Sequence, residues 1–79
     1  MSIASKIKSA LAIAESSQVE IGKALGISTQ AVRMKIFRNS FSATDLVKIA
    51  EAINGKLIIK INEQEIVFSA EDVAEKPEE

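Results

Sequence analysis

The sequence predicts a mainly α fold, in which four short helices are followed by a β-hairpin and a disordered acidic tail. Apolar residues recur at three- and four-residue spacings through most of residues 3–53, which is the period of helices with one buried face. Each of these segments begins just after a serine, whose hydroxyl commonly caps a helix start. The period changes after Gly55, where "KLIIKI" and "EIVF" are rich in β-branched residues and predict two strands.

The first two predicted helices cover residues 3–14 and Gln18–Leu25. The inward stripe of the first is expected to contain five apolar residues, which are Ile3, Ile7, Ala10, Leu11 and Ala14. In the second, Ser17 and Glu20 have the spacing of a capping box. Gly26 can adopt a positive φ and is expected to end this helix.

The third and fourth predicted helices follow the same logic. Ser28 is expected to cap a helix from Thr29 to Arg38, with Val32 and Ile36 on its inner face. The next helix is expected to begin after Ser42, with Asp45 completing a capping box, and to end at Asn54-Gly55. Its predicted inward residues are Leu46, Ile49, Ala50 and Ile53.

The predicted hairpin, with a short helical turn near Val73, occupies residues 56–73. One face is expected to cover the first and fourth helices, and its members are Leu57, Ile59, Ile61, Ile66 and Phe68. Ile58 and Val67 then lie on the opposite face, beside open strand edges. This arrangement favours a homodimer with Ile58 and Val67 in the interface, although a C-terminal segment folded back over this face is an alternative. Residues 74–79 are expected to form a disordered tail.

Composition excludes several classes of function. The 79 residues suit a single domain and contain neither cysteine nor histidine. Disulfides and thiol chemistry are thereby excluded, and the commonest metal ligand and neutral-pH general base are missing. We therefore expect no catalytic residues, no metal site, no cofactor and no enzymatic activity. Because no apolar run approaches membrane-spanning length, we expect a cytoplasmic protein without membrane contact.

Charge is distributed unevenly along the chain. Residues 1–60 carry nine cations and four acids, whereas residues 61–79 carry one cation and seven acids, so the two parts have net charges of +5 and −6. Such asymmetry is typical of a basic region that binds a polyanion. It is equally compatible with a helical surface kept soluble by mixed charge.

The stretch "GKALGISTQAVRMKIFRN", residues 22–39, contains two short predicted helices joined by a glycine-containing turn. This is the helix-turn-helix pattern, in which the second helix enters the major groove and the first holds it at a fixed angle. Gly22 occupies the expected crossing position. Val32 is expected to fill the space between the two helices.

The chain resembles the phage repressor and Cro type of helix-turn-helix regulator, also called the xenobiotic-response-element family, over residues 3–55. The matching elements are Gln18, Ile21-Gly22, Gly26-Ile27-Ser28, Val32 and the later "LVKIAEAINGK". Two positions depart from the family pattern. Gly22 stands where the family usually has Ala, and Lys35 stands where an apolar residue is common.

The resemblance implies that residues 1–55 bind double-stranded DNA. The expected base-reading residues are Thr29, Gln30, Arg33 and Met34, since Gln can pair with adenine, Arg with guanine, and methyl groups with thymine. The expected DNA-backbone residues are Gln18, Ser28, Lys35, Arg38, Asn39 and Ser40. The alternative for these positions is an ordinary solvated helix surface, with Ser28 acting chiefly as a cap.

The resulting prediction is a transcriptional regulator, of phage or prophage repressor type, that binds a palindromic operator as a homodimer. An antitoxin-like or antirepressor-like protein-binding module is the alternative. In that case the acidic C-terminus would contact a protein partner.

Overall fold

The computed structural model describes residues 2–73 and confirms the predicted fold class of four helices followed by an antiparallel hairpin. The predicted disordered tail, residues 74–79, lies outside the described residues. The elements are α1 (Ile3–Ala14), α2 (Gln18–Leu25), α3 (Thr29–Arg38), α4 (Ala43–Ala52), β1 (Leu57–Ile61), β2 (Gln64–Phe68) and a 3-10 turn (Ala70–Val73).

All four helices begin at a serine cap, as predicted. The hydroxyl oxygens of Ser2, Ser17, Ser28 and Ser42 each accept a hydrogen bond from the backbone N–H three residues later. Of these four caps, only that of α4 is a complete capping box, because the Asp45 carboxylate accepts a hydrogen bond from the Ser42 N–H. In the box predicted for α2, Ser17 accepts from the Glu20 N–H at 3.4 Å, and the Glu20 carboxylate instead lies 3.9 Å from Lys23.

Each helix is followed by a residue in the left-handed region. Glu15, Gly26, Asn39 and Asn54 have φ values of 57°, 72°, 54° and 59°. After α2, the Ile27 N–H donates to the Gly22 carbonyl at 2.9 Å and the Gly26 N–H donates to the Lys23 carbonyl at 3.3 Å, which is a Schellman arrangement. The backbone groups left unpaired at the helix ends are thus partly satisfied locally.

The core lies where α1, α2, α3 and α4 meet. Its buried cluster contains Ile7, Leu11, Ile21, Val32 and Ile49. Ile21 and Val32 are almost completely buried, and they join the two helices of the central pair. Removing either side chain would create a cavity in a domain with few other buried residues.

For two helices, the prediction of which residues are buried was partly wrong. In α1 the buried residues are Ala4, Ile7 and Leu11, whereas Ile3 and Ala14, which were predicted to face inward, are exposed. In α4, Val47 is fully buried although it was not predicted to be. This helix packs on α2 and also contacts the 3-10 turn, so it buries more than one narrow stripe.

The hairpin has the predicted division of faces. Leu57 pairs with Phe68, and Ile59 pairs with Ile66 on the same face, whereas Ile58 pairs with Val67 on the other. The connection is shorter than the predicted "NEQ" because Gln64 already belongs to β2. Asn62 takes a left-handed φ of 58° in this tight turn, a conformation that Asn tolerates better than most residues.

The expectation that one hairpin face covers α1 and α4 was wrong for most of its length. Only Leu57 and Phe68 are partly buried there. Ile59, Ile61 and Ile66 are 49%, 54% and 52% exposed, against 39% and 45% for Ile58 and Val67. The strands therefore extend beyond the helices, and both faces of the hairpin are open within the described chain.

Candidate functional site

The junction between α2 and α3 fixes the position of the candidate site. A Cβ atom built on Gly22 would lie 2.8 Å from the Ile27 carbonyl oxygen and 3.5 Å from Val32 Cγ2. The turn that leads from α2 to α3 can therefore fold back this closely onto α2 only because residue 22 has no side chain, whereas the distance to Val32 of α3 is that of ordinary contact. The predicted crossing position is confirmed, and the same contact explains why Gly rather than Ala suits this chain.

The buried and exposed sides of α3 are clearly separated. Val32 is buried and Ile36 packs against the core, whereas Gln30, Arg33 and Phe37 are exposed. These three residues are separated by three and four positions, so they form one outward stripe. Among the predicted base-reading residues, Gln30 and Arg33 are therefore accessible, and Thr29 and Met34 are half-buried at its sides.

A shallow groove runs beside this outward stripe, between α3 and the first half of α1. It is lined by Ala4, Ser5, Lys8, Gln18, Arg33, Ile36 and Phe37. The groove brings Gln18, which was predicted to contact the DNA backbone, together with Arg33, which was predicted to read bases. It also adds Lys8 and Phe37, which were not assigned to the site from sequence.

Sequence reasoning missed Lys8 because the packing of α1 against α3 depends on tertiary structure. A signal for Phe37 was present, since it falls one position after the inner-face residue Ile36. Helical geometry rotates it about 100° away from that position, toward the side that carries Arg33.

Lys35 is not directed outward with the other cations. Its Nζ lies 2.9 Å from Asp45 Oδ2, and the two side chains are only 30% and 16% exposed. The same carboxylate oxygen accepts the Ser42 N–H at 3.1 Å. The role predicted for Lys35 on the DNA backbone remains a prediction, but its ammonium group already has an anionic partner.

Asp45 has a pKa below its ordinary value. Burial by itself raises this pKa, and hydrogen bonds from Lys35 and from the Ser42 backbone, together with the positive charge of Lys35, more than offset that effect. The charged carboxylate is therefore the form that fits the structure at neutral pH.

Asn39 also has a structural role in addition to the predicted one. Its side-chain oxygen accepts a hydrogen bond from the Ala4 backbone N–H at 2.8 Å, which satisfies an N–H group in the first turn of α1. Asn39 thereby ties the end of α3 to the start of α1. Its side-chain nitrogen is the group left for any phosphate contact.

The other residues that were predicted to contact the DNA backbone lie at or near helix boundaries. Gln18 is the first residue of α2, where helix N–H groups point outward. The Ser28 hydroxyl accepts from the Ala31 N–H at 3.1 Å, so its main role is that of a cap. Arg38 ends α3, and Ser40 follows two residues later, both exposed to solvent.

The described residues offer no evident metal centre or membrane span. Between residues 2 and 73, no group of three or more Asp, Glu, His or Cys side chains comes together as a set of metal ligands. None of the helices in this range is long and apolar enough to cross a membrane.

Comparisons with known proteins leave the family of the chain open. No protein-family model, no curated protein and no solved structure matches it.

Proposed function

We propose that this protein is a sequence-specific regulator of transcription that binds double-stranded DNA through α3, without enzymatic activity and in the cytoplasm. The observation that carries the proposal is the packing of Gly22 against the α2–α3 turn and against Val32 of α3. This packing sets the position of α3 relative to α2, and Gln30 and Arg33 extend from the exposed face of α3. The phage-repressor resemblance in the sequence supports the same reading.

In this proposal, Gln30 and Arg33 read base edges in the major groove. Gln can make two hydrogen bonds with adenine, and Arg can make two with guanine. Thr29 and Met34, half-buried beside them, contribute apolar contacts to thymine methyl groups. A tight fit of α3 in the groove is required for all four contacts.

Phosphate contacts supply the sequence-independent part of binding. In this proposal Arg38 at the end of α3 and Lys8 beside the groove contact phosphates, and the start of α2 at Gln18 offers backbone N–H groups. Lys35 could join them only by sharing its ammonium group with Asp45. Cations that neutralise phosphates release bound counterions, which makes the affinity depend on salt. We assign a larger share of this effect to Arg38 than to Lys35.

The exposed hairpin supports a homodimer. Ile58 and Val67 lie directly opposite each other, and the neighbouring strand edges have no partner within residues 2–73. Exposed apolar strands of this kind are commonly covered by another chain. A two-fold dimer would present two copies of α3 to a palindromic operator about 34 Å apart.

The test is selection of bound duplexes from random DNA, followed by binding measurements across a salt series. The proposal expects an enriched palindromic sequence and a linear fall of the logarithm of affinity with the logarithm of salt concentration. No enriched sequence and no salt dependence would remove DNA as the ligand.

A protein-binding module of antitoxin or antirepressor type is the second candidate. Its support comes from the open apolar faces of the hairpin, followed by the acidic residues Glu71 and Asp72. Co-purification of a basic protein partner, together with absence of DNA binding, would favour this candidate.

A further inference from the structure

Phe37 is unusually exposed for an aromatic residue. The chain has three phenylalanines. Phe41 packs against the core and Phe68 is partly buried beside α4, but 84% of Phe37 is accessible to solvent. Leaving a large apolar side chain in water gives up the stabilisation that its burial would provide, so this ring is available for a contact outside the described chain.

The position of Phe37 links it to the proposed DNA-reading surface. It follows Gln30 by seven residues and Arg33 by four, so all three extend from the same side of α3. It also lines the groove that contains Lys8, Gln18 and Arg33. The exposed ring therefore lies beside cationic and amide-bearing side chains, although Ala4 and Ile36 also line the groove.

A major groove offers one apolar feature to such a ring. The C5 methyl group of thymine projects into the groove, and Phe is among the side chains that contact it. The cationic groups around Phe37 would meet the phosphates that flank the same base pair. These two requirements, an apolar base feature and nearby phosphates, are met together in duplex DNA.

We propose that Phe37 is a further specificity-determining residue, which contacts a thymine methyl group in the major groove. Phe37 lies about two turns of α3 beyond Gln30. This inference rests on the proposed function, because it requires α3 to lie in the major groove. It assigns a preference for thymine to the part of the operator that faces the C-terminal half of α3.

The experiment uses the full chain and the duplex selected from random DNA. Each thymine of that duplex is replaced in turn by deoxyuridine, which removes the methyl group and keeps the base-pairing groups. The parent should lose about 3- to 5-fold in affinity at each thymine whose methyl group is contacted, as expected for losing burial of one methyl group. Thr29 and Met34 can account for some of these thymines, so the thymine assigned to Phe37 is the one whose replacement no longer matters in Phe37→Ala. Phe37→Ala should also bind more weakly, and Phe37→Leu should retain part of the sensitivity at that thymine.

Ile13→Ala is the matched control. Ile13 is also 84% exposed, but it follows Lys8 by five residues on α1 and therefore lies on a different side of that helix. It should leave both affinity and deoxyuridine sensitivity unchanged. Circular dichroism and sedimentation should be unaltered in Phe37→Ala, because the ring is outside the core.

The outcomes separate this inference from the proposed function. If the parent binds a specific sequence but no thymine is sensitive to deoxyuridine, or if Phe37→Ala keeps the same sensitivity, the inference is overturned while DNA binding stands. A change from dimer to monomer in Phe37→Ala with unchanged sensitivity would overturn it in favour of a protein interface. If the parent binds no specific DNA, both proposals fall.

Discussion

Lys35 and Asp45 form an ion pair of 2.9 Å between the last turn of α3 and the first turn of α4. Asp45 Oδ2 accepts both this contact and the Ser42 N–H of the capping box. Lys35 therefore joins α3 to the next helix. A pair this sheltered is less screened by solvent and salt than a surface pair.

Acid should weaken the fold through Asp45. Because the pKa of this carboxylate is lower in the folded protein than in the unfolded chain, its stabilising contribution is complete above about pH 4. It should be lost as the pH falls further, through the folded-state pKa. Urea unfolding between pH 2 and 7 measures the effect.

Asp45→Asn is the control for this prediction. It should lower stability at neutral pH and remove part of the decline below pH 4. Lys35→Met should also make this decline smaller, because the folded-state pKa of Asp45 rises toward that of the unfolded chain when its cationic partner is removed. An identical pH profile in the parent and Asp45→Asn would show that other carboxylates account for acid unfolding.

Gly22→Ala should destabilise the protein, even though Ala favours helices by about 1 kcal/mol. The added Cβ would lie 2.8 Å from the backbone oxygen of Ile27, which cannot move without shifting the turn. Overpacking of this kind typically costs about 1–3 kcal/mol, so we expect a net loss of stability in thermal or urea unfolding. DNA affinity should fall as well, since the angle between α2 and α3 would change.

Gly55→Ala provides the matched substitution. The nearest atoms to its new Cβ are the Ala50 oxygen and Ile53 Cγ1, both at 3.7 Å, which is ordinary contact. Its stability should equal or exceed that of the parent. Equal effects at both glycines would mean that the close crossing does not determine the requirement at residue 22.

Gln30→Ala and Arg33→Ala should each remove base preference at the base pairs that the residue reads, while the fold survives. Both side chains are exposed, and each should contribute about 1–3 kcal/mol of discrimination at particular base pairs. Binding of each variant to single-base variants of the selected operator measures this. Lys48→Ala, which removes an exposed charge on α4 beside Ala24 and Ala70, is the control. Unchanged base preference in both variants, with intact circular dichroism, would argue against reading by α3.

Asn39→Ala should cost about 1–2 kcal/mol, because it removes the bond to the Ala4 N–H and places Ala in a left-handed conformation. Asn39→Gly removes only the hydrogen bond, since Gly tolerates the positive φ. Comparing the two variants by urea unfolding separates the cost of the lost hydrogen bond from the cost of the left-handed backbone conformation. If both variants match the parent in stability but lose DNA affinity, Asn39 acts mainly on phosphate.

Ile58→Lys combined with Val67→Lys should shift the protein from dimer to monomer in sedimentation over a concentration series. Lysines directly opposite each other on that face would repel across a two-fold interface. Ile59→Lys with Ile66→Lys is the comparison, since this pair is equally central and at least as exposed. A parent that is monomeric at high micromolar concentration would contradict the hairpin dimer. Loss of the dimer only in the second pair would move the interface to the other face.

Helix boundaries were predictable because their signals are local. Ser17, Ser28 and Ser42 mark helix starts through bonds that span three residues, and Gly26 marks an end through its own backbone angle. None of these features depends on where the helices lie in the folded protein. The close contact at Gly22 does depend on packing, but it was predictable because it joins helices adjacent in sequence, in the helix-turn-helix pattern.

The features that the sequence did not predict depend on tertiary geometry. Asp45 was interpreted only as part of a cap, because its contact with Lys35 requires the turn between α3 and α4. The burial of Val47 requires α4 to be covered from two sides. Likewise, the alternation within the strands predicts which residues share a face, but it does not state how far Ile59 and Ile61 extend beyond the helices.

The serine at the start of every helix has a consequence for how the chain reaches its native state. Each helix carries its own initiation and termination signals, and the two strands are joined by a turn of two residues. Native structure can therefore form in short segments before distant parts of the chain meet. Small helical domains with such local contacts commonly fold within microseconds to milliseconds. A newly synthesised copy would then complete its fold soon after it leaves the ribosome.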